Sequence, residues 1–292
     1  MSGRRVSRLK RIIGRCMPPI LLDVAKAVLR PRPLPLSKIK RSGIEEIECQ
    51  GLRWRLDMTS LISREMVTSG IWEPETTRLV LDFAKPGMHV LSIGANFGYY
   101  ALLMAREVGP SGHVWAFEPT QRYREQLRWN IDLNGFSDRI TIVPFGLSDS
   151  TTTASIDISP ESASLHFPPN IIRVRNEVIE LRRLDDLIMD LGIGTIGFVV
   201  MDIDGHEAAF LRGAKNTLRR DLPPIAMEFS QRCLHMAGSD VREVANLLHK
   251  CGYEICSEKT REPYRDEMEF LMECGNFRPD ANAVARRRLQ QG

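Results

Sequence analysis

The sequence predicts an α/β fold, a Rossmann-like doubly wound sheet with helices on both faces. Three observations point to it. Apolar, β-branched runs alternate with helix-period segments from about residue 89 onward. One of those strands, Val90-Leu91-Ser92-Ile93, runs straight into a glycine corner, Gly94-Ala95-Asn96-Phe97-Gly98, and a helical pattern follows from Tyr99 to Arg106. Acidic residues close several strands, at Glu118, Asp202 and Glu228, where open α/β sheets bind their ligands.

The chain has 292 residues, enough for one large α/β domain with an appendage. Its hydrophobic content of 43% and charged content of 26% suit a soluble globular protein that buries a full core. Six cysteines, at 16, 49, 233, 251, 256 and 274, form no CxxC and no zinc-like grouping with histidine. Cys251 and Cys256 are expected as packed thiols, and a reducing, cytoplasmic setting is expected with them. No apolar run reaches the roughly 18 residues of a membrane span. The N-terminus lacks the pattern of a secretory signal.

Charge is unevenly spread. Residues 1–41 carry twelve Lys/Arg against one acid, Asp23, a formal +11 in a chain whose total is +3. Apolar residues there recur at helical steps, Pro18-Pro19 divides them into two short helices, and Pro31, Pro33 and Pro35 stiffen a linker. Residues 1–43 are therefore expected as a basic amphipathic arm. Packing on the domain or a partner ranks first for it, and peripheral attachment to an anionic membrane surface second. Nucleic acid ranks last, because the arm has no interleaved aromatics and no reading module.

The main domain is expected over residues 44–277. Ile44 to Met58 alternates around Gln50-Gly51 as a hairpin does. Ser60 to Ala84 is expected as helical, with Pro74 at a helix start. Gln121 to Leu133 is a helix closed by Asn134-Gly135, and Ile140 to Phe145 the third strand. Residues 150–183 break the rhythm with two alternating runs, Ala154–Ile158 and Val174–Leu181, and are expected as an inserted hairpin or lid. A short helix starts at Leu184, a doubly buried strand spans Ile196–Met201, and a helix follows over Ala208–Leu218. Strands at Pro224–Phe229, Tyr253–Cys256 and Met268–Met272, with a helix over Val241–Lys250, complete the sheet. From Arg278 to residue 292 the sequence, with Arg286-Arg287-Arg288, is expected as a solvated basic tail.

The glycine spacing narrows the chemistry. A dinucleotide-binding turn wants G-x-G-x-x-G, whereas this corner is G-x-N-x-G. Glu118 lies about 20 residues past it, the spacing of a carboxylate that receives ribose hydroxyls. The corner suits a nucleoside carrying an amino-acid tail rather than NAD.

Several motifs in the same order make a more specific signature: Gly70-Ile71-Trp72-Glu73-Pro74, Ile93 to Tyr99, Phe117-Glu118-Pro119, Leu184-Asp185-Asp186-Leu187, and Asp202-Ile203-Asp204-Gly205-His206-Glu207. With them the chain resembles the FkbM family of S-adenosylmethionine-dependent methyltransferases over roughly residues 44 to 275. The resemblance implies a class I methyltransferase fold, a seven-stranded sheet whose last strand is antiparallel, and O-methylation of a hydroxyl on a sugar, glycolipid or polyketide-type molecule. Two positions depart from the family pattern: an acid usually stands at Ser92 and a lysine at Met201. They motivate a second reading, a catalytically inactive methyltransferase-fold binding protein. A nicotinamide oxidoreductase is disfavoured by the missing third glycine.

For the cofactor S-adenosylmethionine, the expected contacts are Ser92, Gly94, Asn96, Gly98, Glu118 at the ribose, and Asp149 at the adenine amino group. Glu73 is a weaker candidate for the methionine end. Asp202 is the first choice beside the reacting centre, His206 the candidate base, and Glu228 a group that orients the acceptor or helps to hold a divalent ion with Asp202. No metal is expected, because no further carboxylate is obviously clustered with Asp202 and Glu228. Ser162, Ser164, His166 and Arg173 of the insertion are expected near the acceptor.

Overall fold

The computed structural model describes residues 42–159, 162–165, 173–264, 269–270 and 281–288. The basic arm of residues 1–41, His166 and most of the strand expected at Met268–Met272 lie outside the described residues. Of that expected strand, Glu269 and Phe270 are described, and they are helical.

The chain opens with a hairpin, β1 (Ile44–Cys49) and β2 (Leu52–Asp57), as its alternation predicts. Trp54, fully buried, stacks on Tyr99 with ring centroids 5.6 Å apart. Two helices follow, α1 (Leu61–Ser69) and α2 (Pro74–Phe83). The sequence suggests one helical stretch here, but Gly70 stops the first helix by taking the left-handed conformation and donating its N–H to Met66 O.

The Rossmann-like core then runs β3 (His89–Ile93), α3 (Tyr99–Val108), β4 (His113–Phe117), α4 (Gln121–Asn134) and β5 (Ile140–Val143). Asn130 and Asn134 of α4 serve the hairpin. Their side-chain oxygens accept from Arg55 N at 2.7 Å and Arg53 N at 2.9 Å, so the free edge of β2 is satisfied by amides instead of a strand. Asn130 also donates to Phe97 O at 2.9 Å, which ties the hairpin to the glycine corner.

Next comes the insertion: β6 (Gly146–Leu147), β7 (Thr152–Ile158), β8 (Ala163–Ser164) and β9 (Arg175–Arg182), a sheet ordered β6-β9-β7-β8. The two alternating runs of the sequence are its long antiparallel pair, β7 with β9. The chain returns to the core with α5 (Leu184–Asp190), β10 (Ile196–Met201), α6 (Glu207–Gly213), α7 (Lys215–Asp221), β11 (Ile225–Phe229), α8 (Gln231–Met236), α9 (Val241–Cys251), β12 (Tyr253–Ser257) and β13 (Ala281–Arg287).

The main sheet has seven strands in the order β12-β13-β11-β10-β3-β4-β5. All neighbours are parallel except β13, which is antiparallel to both β11 and β12. Strand residues alternate between two apolar layers. Leu91, Trp115 and Val199 face one with α5, α6 and α9; Val90, Val114 and Val200 face the other with α3, α4 and the hairpin. This is the class I methyltransferase order, with the antiparallel last strand that the family resemblance implies.

The identity of that strand corrects the sequence reading. Residues from Arg278 are expected as a solvated tail, yet Ala283, Val284 and Ala285 are at most 1% exposed in the middle of the sheet. Small residues fit there because both faces of β13 are covered. Arg286 is paired across the strand with Glu254 at 2.8 Å instead of being free in water. All four described cysteines are free thiols, Cys251 and Cys256 buried as expected.

The turn after β10 places the site and carries strain. Asp204 is left-handed at φ 49°, and Gly205 follows at φ 97°. A Cβ on Gly205 would sit 2.3 Å from Cys233 O, so only glycine fits. Glu207, 2% exposed, accepts from Gly205 N at 3.2 Å with one oxygen, while the other has no partner. Burial pushes this carboxyl up to about 7.

Two predictions follow from this architecture. Val284→Asp puts an unpaired charge into the sheet, so it should abolish the cooperative thermal transition in circular dichroism. A wild-type melt would return the strand to the status of a tail. The second concerns pH. Because the folded-state pKa of Glu207 is raised, the unfolded chain gives up that proton first. Stability from this group is full below the ordinary carboxylate range and is lost as pH rises toward about 7. Glu207→Gln keeps an acceptor for Gly205 N–H and removes the titration. Its melting temperature should gain on wild type between about pH 5 and about pH 7; parallel curves would show that Glu207 carries no such penalty.

Candidate active site

A cleft opens along the C-terminal ends of the central strands. Gly94, Asn96 and Glu118 line its middle, after β3 and β4. Asp202, Asp204 and His206 line the β10 side, and Phe145 and Leu147 the β5 side. This is the topological position at which such sheets bind ligands.

Gly94 brings two of these walls together. At φ 75°, its missing Cβ would lie 1.9 Å from the backbone oxygen of Asp202. Asp202 N donates to Ile93 O at 3.0 Å, continuing the pairing of β10 with β3 past its end. Any side chain at 94 would force the two strand ends apart.

Glu118 is 4% exposed and fully engaged. One oxygen accepts from Asn96 N at 2.9 Å, the other from Thr120 N at 2.9 Å and Thr120 Oγ1 at 2.7 Å. Burial raises its pKa, and the bonds from Thr120 and Asn96 oppose that rise. Each carboxylate oxygen has further lone-pair capacity, which a ribose diol in the cleft can use.

The corner keeps its backbone amides for the protein. Gly94 N and Ala95 N both donate to Phe117 O, Asn96 N to Glu118, Phe97 N to Asn96 Oδ1, and Gly98 N to Ala95 O. Every amide from 94 to 98 is therefore used inside the protein. A pyrophosphate, which is held by free amides at a helix start, finds none here. An adenosyl group with a cationic tail needs none, and the acids opposite suit its charge.

The carboxylates of Asp202, Asp204 and Glu228 offer oxygens within 4.8 Å of one another. Asp202 opens onto the cleft, so solvent reaches it on that side, while the protein crowds it on the others. That crowding, then Asp204, Glu73 and Glu207, pushes its pKa well above the usual carboxylate range. A hydrogen bond shared with Glu228 opposes the shift, and requires a proton on one of the two carboxyls. The sequence reading set metal aside for want of a third carboxylate. The fold supplies one in Asp204, and three hard oxygens could hold a divalent cation as readily as they share a proton.

His206 lines the cleft beside Asp202, with Nε2 3.0 Å from Ser148 Oγ. Glu228 sits at the end of β11 and meets the site through Asp202. Gly98 is the start of α3, where its bareness admits Leu127 and Leu102; it does not line the cleft. Ser92 is buried within β3 and likewise stays behind the cleft wall. Asp149, expected at the adenine, is instead bound to Arg212 at 2.9 Å, and Arg212 to Glu243 at 2.6 Å. Met201 is packed in the core at 1% exposure, so its departure from lysine changes the core rather than the cleft lining. Glu73 lies outside the lining; left-handed at φ 39°, it accepts from Tyr100 Oη at 2.5 Å and Asn282 Nδ2 at 3.2 Å. Ser162 and Ser164 line the cleft, while Arg173 pairs with Asp157 at 3.0 Å.

Residues 92–255, more than half of the chain, match the Methyltransferase FkbM domain family. The chain is 37% identical over 79 residues to a protein-L-isoaspartate O-methyltransferase of Hyperthermus butylicus, a match covering 24% of this chain and only 33% of that protein. It is 28% identical to the 2-O-methyltransferase NoeI of Sinorhizobium fredii, over 56% of this chain and 72% of NoeI. It is 24% identical to the hexuronic acid methyltransferase AglP of Haloferax volcanii, over 78% of this chain and 89% of AglP. With that match over the glycine corner, Glu118 and the Asp202 turn, the chain belongs to the FkbM family of methyltransferases, and its cofactor is S-adenosylmethionine.

Proposed function

We propose that this chain is an O-methyltransferase that moves the methyl group of S-adenosylmethionine to a hydroxyl of a carbohydrate-type acceptor. The observation that carries the reading is the polarity of the cleft. Its middle holds a buried acceptor, Glu118, and one side gathers Asp202, Asp204 and Glu228, while the corner between keeps its amides to itself. A cationic sulfonium and ammonium belong at that acidic side, with the ribose at Glu118.

The bound cofactor supplies an electrophilic methyl carbon. Transfer to a hydroxyl would leave the electron pair of the carbon–sulfur bond on the departing thioether and would require the hydroxyl to lose its proton. Asp202 receives it: raised above the usual carboxylate range, it is a better base than an ordinary aspartate. His206, beside it and held toward Ser148, is the second base within the cleft. In-line alignment of donor and acceptor provides the rest of the rate.

A sugar acceptor is supported by the names of NoeI and AglP, a 2-O-methyltransferase and a hexuronic acid methyltransferase. The reading without catalysis is not favoured, because neither position that motivates it, Ser92 or Met201, is in the cleft lining. For the basic arm, packing on the domain or a partner comes first and peripheral contact with an anionic membrane second; a cytoplasmic location and the absence of a nucleic-acid partner belong to the same proposal. No helix among the described residues is long and apolar enough to cross a membrane.

S-adenosylhomocysteine should raise the melting temperature, adding about 2.7 kcal/mol at a hundred times its dissociation constant, and NAD should not. In calorimetry, Glu118→Ala should weaken its binding by about tenfold or more, from the loss of charged hydrogen bonds. Unchanged affinity would move the ribose elsewhere. Asp202→Asn should lower methyl transfer to hexose- and hexuronate-terminated acceptors by about 100-fold or more while S-adenosylhomocysteine still binds. Full turnover in that variant would give the proton to another group.

A further inference from the structure

We propose that the inserted sheet is the fixed wall at the adenine end of the cofactor cleft, and that Ile179 and Leu181 decide how large a base it accepts. The inference rests on the cofactor assignment, and strand order gives it a direction. Across the mouth of the sheet the residues run Asp202 after β10, Gly94 after β3, Glu118 after β4 and Phe145 after β5. With the ribose at Glu118 and the cationic tail toward Asp202, the uncharged base must extend the other way, toward β5. That side is apolar. Phe145 and Leu147 supply its floor, and Ile156, Ile179 and Leu181 of the insertion its far wall.

The insertion is built as a wall and not as a hinged lid. Gly146 and Leu147 pair in parallel with Leu181 and Arg182, and Ser148 N donates to Arg182 O at 2.8 Å. A Cβ on Gly146 would lie 2.6 Å from Leu181 Cδ2, so the bare backbone is what lets Leu181 seat against it. On the helix side, Gln121 N donates to Glu177 at 2.8 Å and Tyr123 Oη to Ser159 O at 3.0 Å. Ile179 and Leu181 point inward at 4% and 5% exposure, whereas Val178 between β9's inward residues is 77% exposed on the opposite face. In adenine, the edge that carries the exocyclic amino group is the one farthest from the ribose. It is that edge which meets Ile179 and Leu181.

A cofactor product enlarged on that edge tests the assignment. Calorimetry would compare S-adenosylhomocysteine with its N6-benzyl derivative on the full chain. Wild type should discriminate strongly against the derivative. Ile179→Ala and Leu181→Ala should improve its affinity, relative to S-adenosylhomocysteine, by about tenfold or more, as expected for space opened in an apolar pocket. Val178→Ala should keep the wild-type ratio. If an alanine variant does not fold, Ile179→Val and Leu181→Val replace it, with the same ratio read at smaller amplitude. An unchanged ratio in variants that still bind S-adenosylhomocysteine would overturn the wall and leave the cofactor assignment standing. Wild type that binds no S-adenosylhomocysteine would overturn both.

Discussion

The contact between Gly94 and the backbone of Asp202 is the constraint on which the site depends. One residue closes β3, the other closes β10, and the absence of a side chain at 94 sets their separation. From that contact the acid side of the cleft acquires its place beside the glycine corner. The neighbouring bond from Asn96 N to Glu118 fixes the other side in the same way, so the corner sits between two anchored carboxylates. Neither depends on a loop finding its position when a ligand arrives.

Electrostatics follow from that arrangement. A turn that consumes its own amides has lost the positive character that makes glycine corners good phosphate sites. Acids crowded opposite then make the cleft a place for a positive ligand, and their mutual repulsion is tolerated because protons or a cation can relieve it. The same crowding that disfavours the ionised form of Asp202 makes it a stronger base when it does ionise. Cofactor charge and acceptor deprotonation are thus served by one group of side chains.

Much of this was legible in the sequence, for local reasons. Glycines with positive φ, a carboxylate at a strand end and alternating β and α patterns are all short-range signals, and Gly94, Glu118 and Asp202 stand where those signals put them. Asp204 was visible inside the same turn, yet only the left-handed backbone at that residue turns it back toward Asp202. The ion pair that Asp149 makes was not legible, because its partner, Arg212, lies 63 residues away in sequence. The apolar wall of Ile156, Ile179 and Leu181 carries no motif; its neighbours in the cleft are set by tertiary packing. Strand β13 was hidden by composition, since alanines and arginines resemble a solvated tail until both faces are seen to be covered.

The placement of β13 has a consequence for how the molecule is assembled. Its two neighbours, β11 and β12, precede it in the chain, yet it lies between them and pairs with both. During synthesis, neither β11 nor β12 can complete its native pairing until residues 281–287 arrive. Parallel strands and helices on either side can form earlier, but the sheet is sealed by an insertion rather than by addition at a rim. Such a closure is long-range and late, and in the interval the edges that await β13 are open to pairing with other chains.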